Sequence, residues 1–314
     1  MELKLKSNTE EVETKEKVFK LIDDKKVEFM KFDNHLNDVS DIIKQINKFI
    51  DGKVGLSNDR INGLLRYLVQ YRVVLDIPIP KNTLLLRGVK LEKPMHYPYK
   101  YTNTSRVSYI PETKSDKAKL GRFNFDAQPM YYGSISSSIL SANVVFSEIE
   151  AKEKEYINLL VSKTIKELKV RYIGLFDYYK RNTKPPFNVH SFFEDVYKYY
   201  VDTHELELLS AIELCDTFFS DITTRKGSSR LYMVTSTLAN ILLERDVDGL
   251  IYPSVSTPGS PNLVLKPSSV DEKIQHEKVH VKMITKDYGY SLYYAIDNDT
   301  GIVDKDNNIK WNTK

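Results

Sequence analysis

Cysteine is nearly absent from this sequence, since Cys215 is the one cysteine among 314 residues. A disulfide framework is therefore excluded, and the apolar run around Cys215 indicates a buried thiol rather than a reactive one. A protein without disulfides suits a reducing compartment, so we expect a cytoplasmic location. A chain of this length can bury enough surface to fold without a disulfide or a metal ion.

Long apolar runs are also missing, and no stretch approaches the roughly 18 residues that a membrane helix needs. Residues 1–6 lack the apolar core of a secretory signal, so we expect neither a membrane span nor secretion. The 46 basic and 43 acidic residues nearly balance and are interspersed, which argues against direct nucleic-acid binding. The chain has only 12 glycines and no Walker or GxGxxG motif, which argues against a glycine-rich phosphate loop.

The first 80 residues look helical, with helical hydrophobic spacing from about residue 40 and a highly charged stretch over 1–38 to which no single structure is assigned. Apolar residues recur at helical intervals after Ser40, which predicts a helix capped by that serine. A second periodic segment follows Ser57 and Asn58, either of which can cap it. Pro78 cannot continue a helix and ends the region. We therefore expect a helical N-terminal region over 1–80.

From Thr83 onward, short apolar or alternating segments are separated by longer periodic ones. The pattern predicts strands over 83–89, 156–162, 169–177, 249–253 and 262–265, and helices over 137–151, 189–202, 204–221 and 229–245. Residues 91–130 are expected to be mostly loop. Residues 277–296 alternate like a hairpin with its turn at 287–289, and 297–314 are expected to be polar turns. The mixed order predicts an α+β fold, with a central domain over 81–270 and a C-terminal β extension over 271–314.

Two segments superficially match metal-binding motifs. His276 and His280 complete an HExxH pattern, the signature of a zinc peptidase helix. The following residues alternate like a strand, however, and on a strand the intervening Glu277 points away from both histidines. Residues 297–301 resemble a calcium loop, but its twelfth position lacks a glutamate and we expect a solvated turn. We therefore predict no metal site.

Three polar residues stand inside or at the end of apolar segments. Arg87 interrupts an apolar strand, where a guanidinium needs either a bound anion or a buried carboxylate. Glu148 ends the run Val-Val-Phe-Ser, and faces either solvent or a site. Ser254 follows the run Gly-Leu-Ile-Tyr-Pro, and is either a turn residue or a site residue at a strand end. Each residue alone leaves both alternatives open.

Taken together and in order, these segments resemble the RES domain family, which is named for its Arg, Glu and Ser. The likeness covers about 83–268. Its blocks are the early-strand Arg87, Gly-Arg-Phe-Asn at 121–124, Pro-x-x-Tyr at 129–132, Glu148, Gly-Leu-Ile-Tyr-Pro-Ser at 249–254 and Asn-Leu-x-Leu at 262–265.

The spacing between Tyr132 and Glu148 is longer than is usual in that family, and 134–138 look like an insertion. This leaves Glu148 against Glu150, and Tyr131 against Tyr132, open as site residues. We favour Glu148 because it directly follows the apolar run. We favour Tyr132 because it stands three residues after Pro129, as in the family.

The resemblance implies an ADP-ribosyltransferase-like fold, a mixed sheet surrounded by helices, and an activity on NAD. Characterised RES proteins are toxins that cleave the nicotinamide–ribose bond by hydrolysis or phosphorolysis, usually paired with an antitoxin that carries a helix-turn-helix domain. NAD is then the substrate, and no cofactor or metal is needed. The implied catalytic residues are Glu148, Arg87, Ser254 and Tyr132, and the implied NAD-binding residues are Arg87, Arg122, Tyr132, Ser254 and Asn262.

The chemistry of these side chains suits that reaction. A carboxylate at Glu148 can stabilise an oxocarbenium-like ribosyl cation and bind the ribose 2′-hydroxyl. The guanidinium groups of Arg87 and Arg122 can grip a pyrophosphate, and the ring of Tyr132 can stack on nicotinamide. The hydroxyl of Ser254 can hydrogen-bond the ribose or the amide. Three alternatives remain: transfer of ADP-ribose to a protein, an inactive binding module, and an HExxH zinc peptidase.

Overall fold

The computed structural model describes residues 8–29, 33–73, 76–91, 100–136, 142–180, 190–244, 246–254, 256–257 and 260–311. Its strands are β1 (Asp76–Ile79), β2 (Leu84–Lys90), β3 (Tyr131–Ser136), β4 (Tyr156–Thr164), β5 (Leu168–Tyr172), β6 (Gly249–Pro253), β7 (Pro261–Leu265), β8 (Ile274–Asp287), β9 (Tyr293–Val303) and β10 (Ile309–Trp311). They form one sheet in the order β1-β5-β6-β7-β3-β2-β4-β8-β9-β10. Of these pairs only β5 and β6 run parallel within the described residues, and the predicted α+β class is confirmed.

The helices are α1 (Asn8–Phe29), α2 (His35–Ile50), α3 (Asn58–Gln70), α4 (Asn143–Glu148), α5 (Leu175–Lys180), α6 (His190–Thr203), α7 (Leu206–Thr224), α8 (Ser229–Leu243) and α9 (Pro267–Lys273). Helices α7 and α8 pack against β6, and α4 packs against β2 and β3. The described helices include none that is both long enough and apolar enough to cross a membrane. Cys215 on α7 is buried and unpaired, as expected, and burial raises the pKa of its thiol.

The N-terminal helices pack on the rest of the molecule through their predicted apolar faces. Val39, Ile43 and Ile46 are buried on α2, which lies against α7. Ser57 caps α3 by accepting a hydrogen bond from the Arg60 amide at 3.2 Å, as predicted. The cap expected at Ser40 is wrong, because α2 already begins at His35. Side chains from all three predicted regions share one continuous apolar core.

Several predicted boundaries also need correction. Pro78 lies in strand β1 at the edge of the sheet, where a missing amide hydrogen is tolerated. The strand predicted over 169–177 stops at Tyr172, and Leu175 opens α5. The helix predicted over 137–151 is shorter, at Asn143–Glu148, with 137–141 outside the described residues. The expected turns after 297 are instead the second half of β9 and strand β10.

Strands β2 and β3, near the middle of the sheet, pair over only part of their length. Strands β2 and β3 pair from Leu84 only as far as Leu86 opposite Ser134, although β2 continues beside β4 to Lys90. A gap therefore opens beyond Leu86. Helix α4 closes tightly over it, since a Cβ at Gly88 would lie only 2.5 Å from Val145 Cγ1. Glycine at 88 thus permits the close approach that brings the end of α4 to the gap.

A buried carboxyl group ties α7 to the start of α5 and predicts a pH effect on stability. Asp216 accepts the Asp177 amide at 3.0 Å, and burial raises its pKa from 3.8 to about 7. Because the folded state holds this proton more tightly, stability should fall as pH rises from about 4 to 7. Asp216→Asn stays neutral and keeps an acceptor, so its stability should depend less on pH. Urea unfolding at pH 5 and pH 8 tests this, and parallel pH profiles for the two proteins would contradict it.

Candidate functional site

The gap between β2 and β3 contains a cavity of about 290 Å³. Its walls come from β2, β3, α4, β6, β7, α8 and the loop before β3. Five of the six site residues expected from the sequence line this cavity: Arg87, Arg122, Tyr132, Glu148 and Asn262. The sixth, Ser254, contacts Glu148. Segments separated by up to 175 residues are therefore brought to one place.

The Glu148 carboxylate is contacted by residues of the turn after β6. Ser254 Oγ donates a hydrogen bond to Glu148 Oε1, and the Thr257 amide donates to Ser254 Oγ at 2.8 Å. The Ser256 amide lies 3.5 Å from the same Glu148 oxygen. The Ser254 hydroxyl was expected to contact a substrate, but in the structure it donates its hydrogen bond to Glu148. The arrangement therefore fixes one carboxylate oxygen and favours a positioning role for Ser254.

The structure distinguishes the two glutamates that the sequence left open. Glu148 ends α4 and lines the cavity. Glu150 has a left-handed backbone (φ 49°) that turns it away from the helix. Its side chain is 74% exposed and lies 3.7 Å from Lys226. Of the two, Glu148 is the one at the cavity, as favoured from the sequence.

The neighbouring tyrosines are likewise separated by the alternation of β3. Tyr131 is fully buried, with its ring 5.5 Å from the Arg87 guanidinium. Tyr132 lines the cavity, and its hydroxyl accepts the Phe123 amide at 3.0 Å and donates to Asn124 Oδ1 at 2.7 Å. Burial raises the pKa of both phenols, that of Tyr131 to about 12. Two residues of the Gly-Arg-Phe-Asn block therefore position the Tyr132 side chain through hydrogen bonds to its hydroxyl.

Arg87 lies at the gap without a carboxylate. Its Nε donates to the Val107 carbonyl at 3.1 Å, and its Nη1 donates to the Tyr132 carbonyl at 2.6 Å. Burial lowers the pKa of this guanidinium. Among the described residues no acid pairs with Arg87, so the alternative of a buried ion pair is not observed there. Arg87 is half-buried, and a cation that among the described residues is held by carbonyls and a ring is electrostatically suited to an anionic ligand.

Arg122 is fixed at the carboxyl end of α7. Its Nη1 donates to the carbonyls of Thr223 and Arg225, at 2.5 and 2.9 Å. The guanidinium also lies 5.7 Å from the centre of the Tyr232 ring on α8. A helix carboxyl end attracts positive charge, so this arginine is held at the cavity while its remaining N–H groups stay available.

Three further lining residues carry polar side chains and were not singled out as site residues. Ser134 lies on β3, Tyr252 on β6 and Tyr232 on α8. Tyr252 belongs to a block that the sequence analysis used, and Ser134 stands at the start of the suspected insertion. Tyr232 has no sequence signal of its own, because it is one of 21 tyrosines in the chain.

The HExxH residues lie away from this cavity on β8. His276 Nδ1 lies 2.8 Å from Ser162 Oγ, and burial lowers its pKa to about 4. His280 Nδ1 lies 3.0 Å from Thr300 Oγ1 on β9. The predicted strand is confirmed, with a bulge opposite Val161 and Ser162. The described residues contain no cluster of three or more His, Cys, Asp or Glu side chains placed to hold a metal ion.

We expect the double variant His276→Ala, His280→Ala to have the same zinc content as the parent protein and to give the same result in an assay of nicotinamide release from NAD. One ring nitrogen of each histidine is hydrogen-bonded to a hydroxyl on a neighbouring strand, so the loss should affect only folding stability, by about 1 kcal/mol per hydrogen bond. The measurements are elemental analysis, a thermal melt and nicotinamide release. Stoichiometric zinc in the parent protein that disappears together with activity would support the peptidase alternative instead.

Comparisons with protein-family models, with curated proteins and with solved structures found no match to this chain.

Proposed function

We propose that this protein is a NAD-degrading enzyme of the RES type, with an ADP-ribosyltransferase-like fold, that cleaves the nicotinamide–ribose bond. The observation that carries the proposal is the convergence of Arg87, Arg122, Tyr132, Glu148 and Asn262 on one cavity. These residues are distributed along the chain from 87 to 262 and were selected from the resemblance of the sequence to the RES family. Their meeting in space is not expected if the resemblance were accidental.

The electrostatics of the cavity support glycosidic cleavage. Loss of nicotinamide leaves positive charge on the ribose, and a preorganised carboxylate stabilises that charge in the transition state. Glu148 suits this role because Ser254 fixes one of its oxygens and leaves the other for the substrate. The bond that breaks is the C1′–N bond, whose electron pair leaves with nicotinamide. Water or phosphate then donates the oxygen that bonds to C1′.

The two arginines supply the complementary charge for a dinucleotide. Neither Arg87 nor Arg122 is paired with an acid among the described residues, and each keeps N–H groups beyond those bonded to carbonyls. Guanidinium groups bind phosphate oxygens through charge-assisted hydrogen bonds. The cavity volume is at the lower end of that of ligand sites, which suits the nicotinamide riboside portion of NAD.

The test is to mix purified protein with NAD and follow nicotinamide release by chromatography, with and without inorganic phosphate. We expect release by the wild-type protein and release slower by roughly 10²- to 10³-fold by Glu148→Gln at matched concentration. Dependence on phosphate, with ADP-ribose 1″-phosphate as a product, identifies phosphorolysis. Free ADP-ribose in its absence identifies hydrolysis. No release under either condition would contradict the proposal and favour an inactive binding module.

Transfer of ADP-ribose to a protein uses the same bond cleavage with a different acceptor. The same site residues would serve it, so radiolabelled NAD incubated with cell extract distinguishes the two, since only transfer labels a protein. A toxic role in the cytoplasm, and a cognate antitoxin with a helix-turn-helix domain, follow from the resemblance and are part of the proposal.

A further inference from the structure

A buried serine–asparagine pair forms part of the cavity wall. Ser134 on β3 and Asn262 on β7 stand directly opposite each other in the sheet. Ser134 Oγ donates a hydrogen bond to Asn262 Oδ1 at 2.8 Å. The two residues are only 4% and 1% exposed, yet both line the cavity. The pair therefore joins the wall to two central strands of the sheet.

The hydrogen bond to Ser134 shows which end of the Asn262 amide faces away from the serine in the structure. A primary amide has one oxygen acceptor and an NH₂ group with two donors. Because Oδ1 receives the serine proton, the free end of the Asn262 side chain is its Nδ2. That nitrogen is buried and has no partner within the described residues. An unsatisfied buried donor is unfavourable and calls for an explanation, of which a bound ligand is one.

The sheet positions both residues of the pair. Ser134 pairs with Leu86 at the last step of the β2–β3 ladder, at the border of the gap. Asn262 is flanked on its other side by Tyr252 of β6. Both residues are therefore paired on both sides in the sheet. A rotation of the amide would require the Ser134 hydroxyl to accept from Nδ2 instead of donating to Oδ1.

We propose that Ser134 is a positioning residue, which holds Asn262 so that Nδ2 donates a hydrogen bond to an oxygen acceptor of the substrate. The inference rests on the proposed function, in which that substrate is NAD. It assigns the pair a role in binding and specificity, separate from the charge stabilisation by Glu148. A group without an acceptor oxygen at this point should bind less well.

Binding of NAD to variants built in the Glu148→Gln background tests the pair under conditions in which turnover is slowed. Isothermal titration calorimetry should give a dissociation constant roughly five- to tenfold higher for Ser134→Ala, the effect of one loosened neutral hydrogen bond. Ser134→Thr keeps the hydroxyl and should restore binding. Asn262→Asp replaces the donor with an acceptor and should weaken binding more than Ser134→Ala does. Ser136→Ala, on the same strand but outside the cavity lining, is the matched control.

Thermal melts of every variant separate binding from folding. The inference is wrong if Ser134→Ala or Asn262→Asp binds NAD as tightly as the parent, or if the threonine variant fails to restore binding while remaining folded. In either case the proposed function survives, provided that the wild-type protein releases nicotinamide. If the parent binds no NAD and the wild type releases no nicotinamide, the proposed function and this inference fail together.

Discussion

Glu148→Gln should release nicotinamide roughly 10²- to 10³-fold more slowly than the wild type at saturating NAD, while binding NAD with nearly the same affinity. The glutamine is isosteric and keeps an oxygen that can accept the Ser254 proton, so the end of α4 should stay in place. What is lost is the negative charge facing the ribosyl cation, and losing one preorganised contact to the transition state typically has an effect of about this size.

Glu150→Gln is the control for this experiment. Glu150 is two residues away, exposed and paired only loosely with Lys226, so its variant should have wild-type kinetics. The two variants and a thermal melt distinguish three results. A dead Glu150→Gln with an active Glu148→Gln would place the site at the other glutamate. Full activity in both would contradict the mechanism itself.

Arg87→Lys should weaken NAD binding by about 10- to 100-fold although the charge is kept. The guanidinium holds two carbonyls through different nitrogens, on Val107 and Tyr132, and has further N–H groups for a phosphate. A lysine ammonium is a single point and cannot hold both carbonyls and a bidentate anion together. The loss of one or more charge-assisted hydrogen bonds, each about 1.5–3 kcal/mol, sets the expected range.

Arg106→Lys is the matched control, because Arg106 is an exposed arginine next to Val107, whose carbonyl accepts a hydrogen bond from Arg87. Its NAD affinity should equal that of the wild type. Calorimetry with both variants measures the effect, and a melt shows whether the buried substitution still folds. A folded Arg87→Lys protein with unchanged affinity for NAD would remove this arginine from the binding site.

Long helices and strands could be predicted from the sequence because their apolar residues recur with the period of a helix or of a strand. Helices α7 and α8 lie within a few residues of their expected bounds, and the β8–β9 turn lies where it was expected, although β9 continues to Val303. Short elements were less accurate. Six residues of α4 carry too little periodicity to define its ends, and β10 has only three residues. Pro78 was read as a helix stop, whereas the edge position of β1 accommodates it.

For the candidate site, the sequence identified residue types but not their contacts. It favoured Glu148 over Glu150 but left the choice open, because the residue type at 150 does not indicate the left-handed backbone found there. The sequence analysis predicted that Ser254 contacts the substrate. No local pattern shows that its hydroxyl instead contacts a glutamate 106 residues earlier. Tyr232 was not predicted as a site residue because a tyrosine on a helix carries no signal of its own. Its position beside Arg122 follows only from the fold.

The order in which the cavity walls occur along the chain has a consequence for biosynthesis. The earliest wall residue is Leu86 and the last is Asn262, and β7, which carries Asn262, joins β6 to β3 in the sheet. A nascent chain that has not yet reached β7 lacks both the closing wall and the strand that holds two others together. A ribosome-bound or truncated product ending before residue 261 therefore has no complete cavity, and any activity begins only once synthesis has passed that strand.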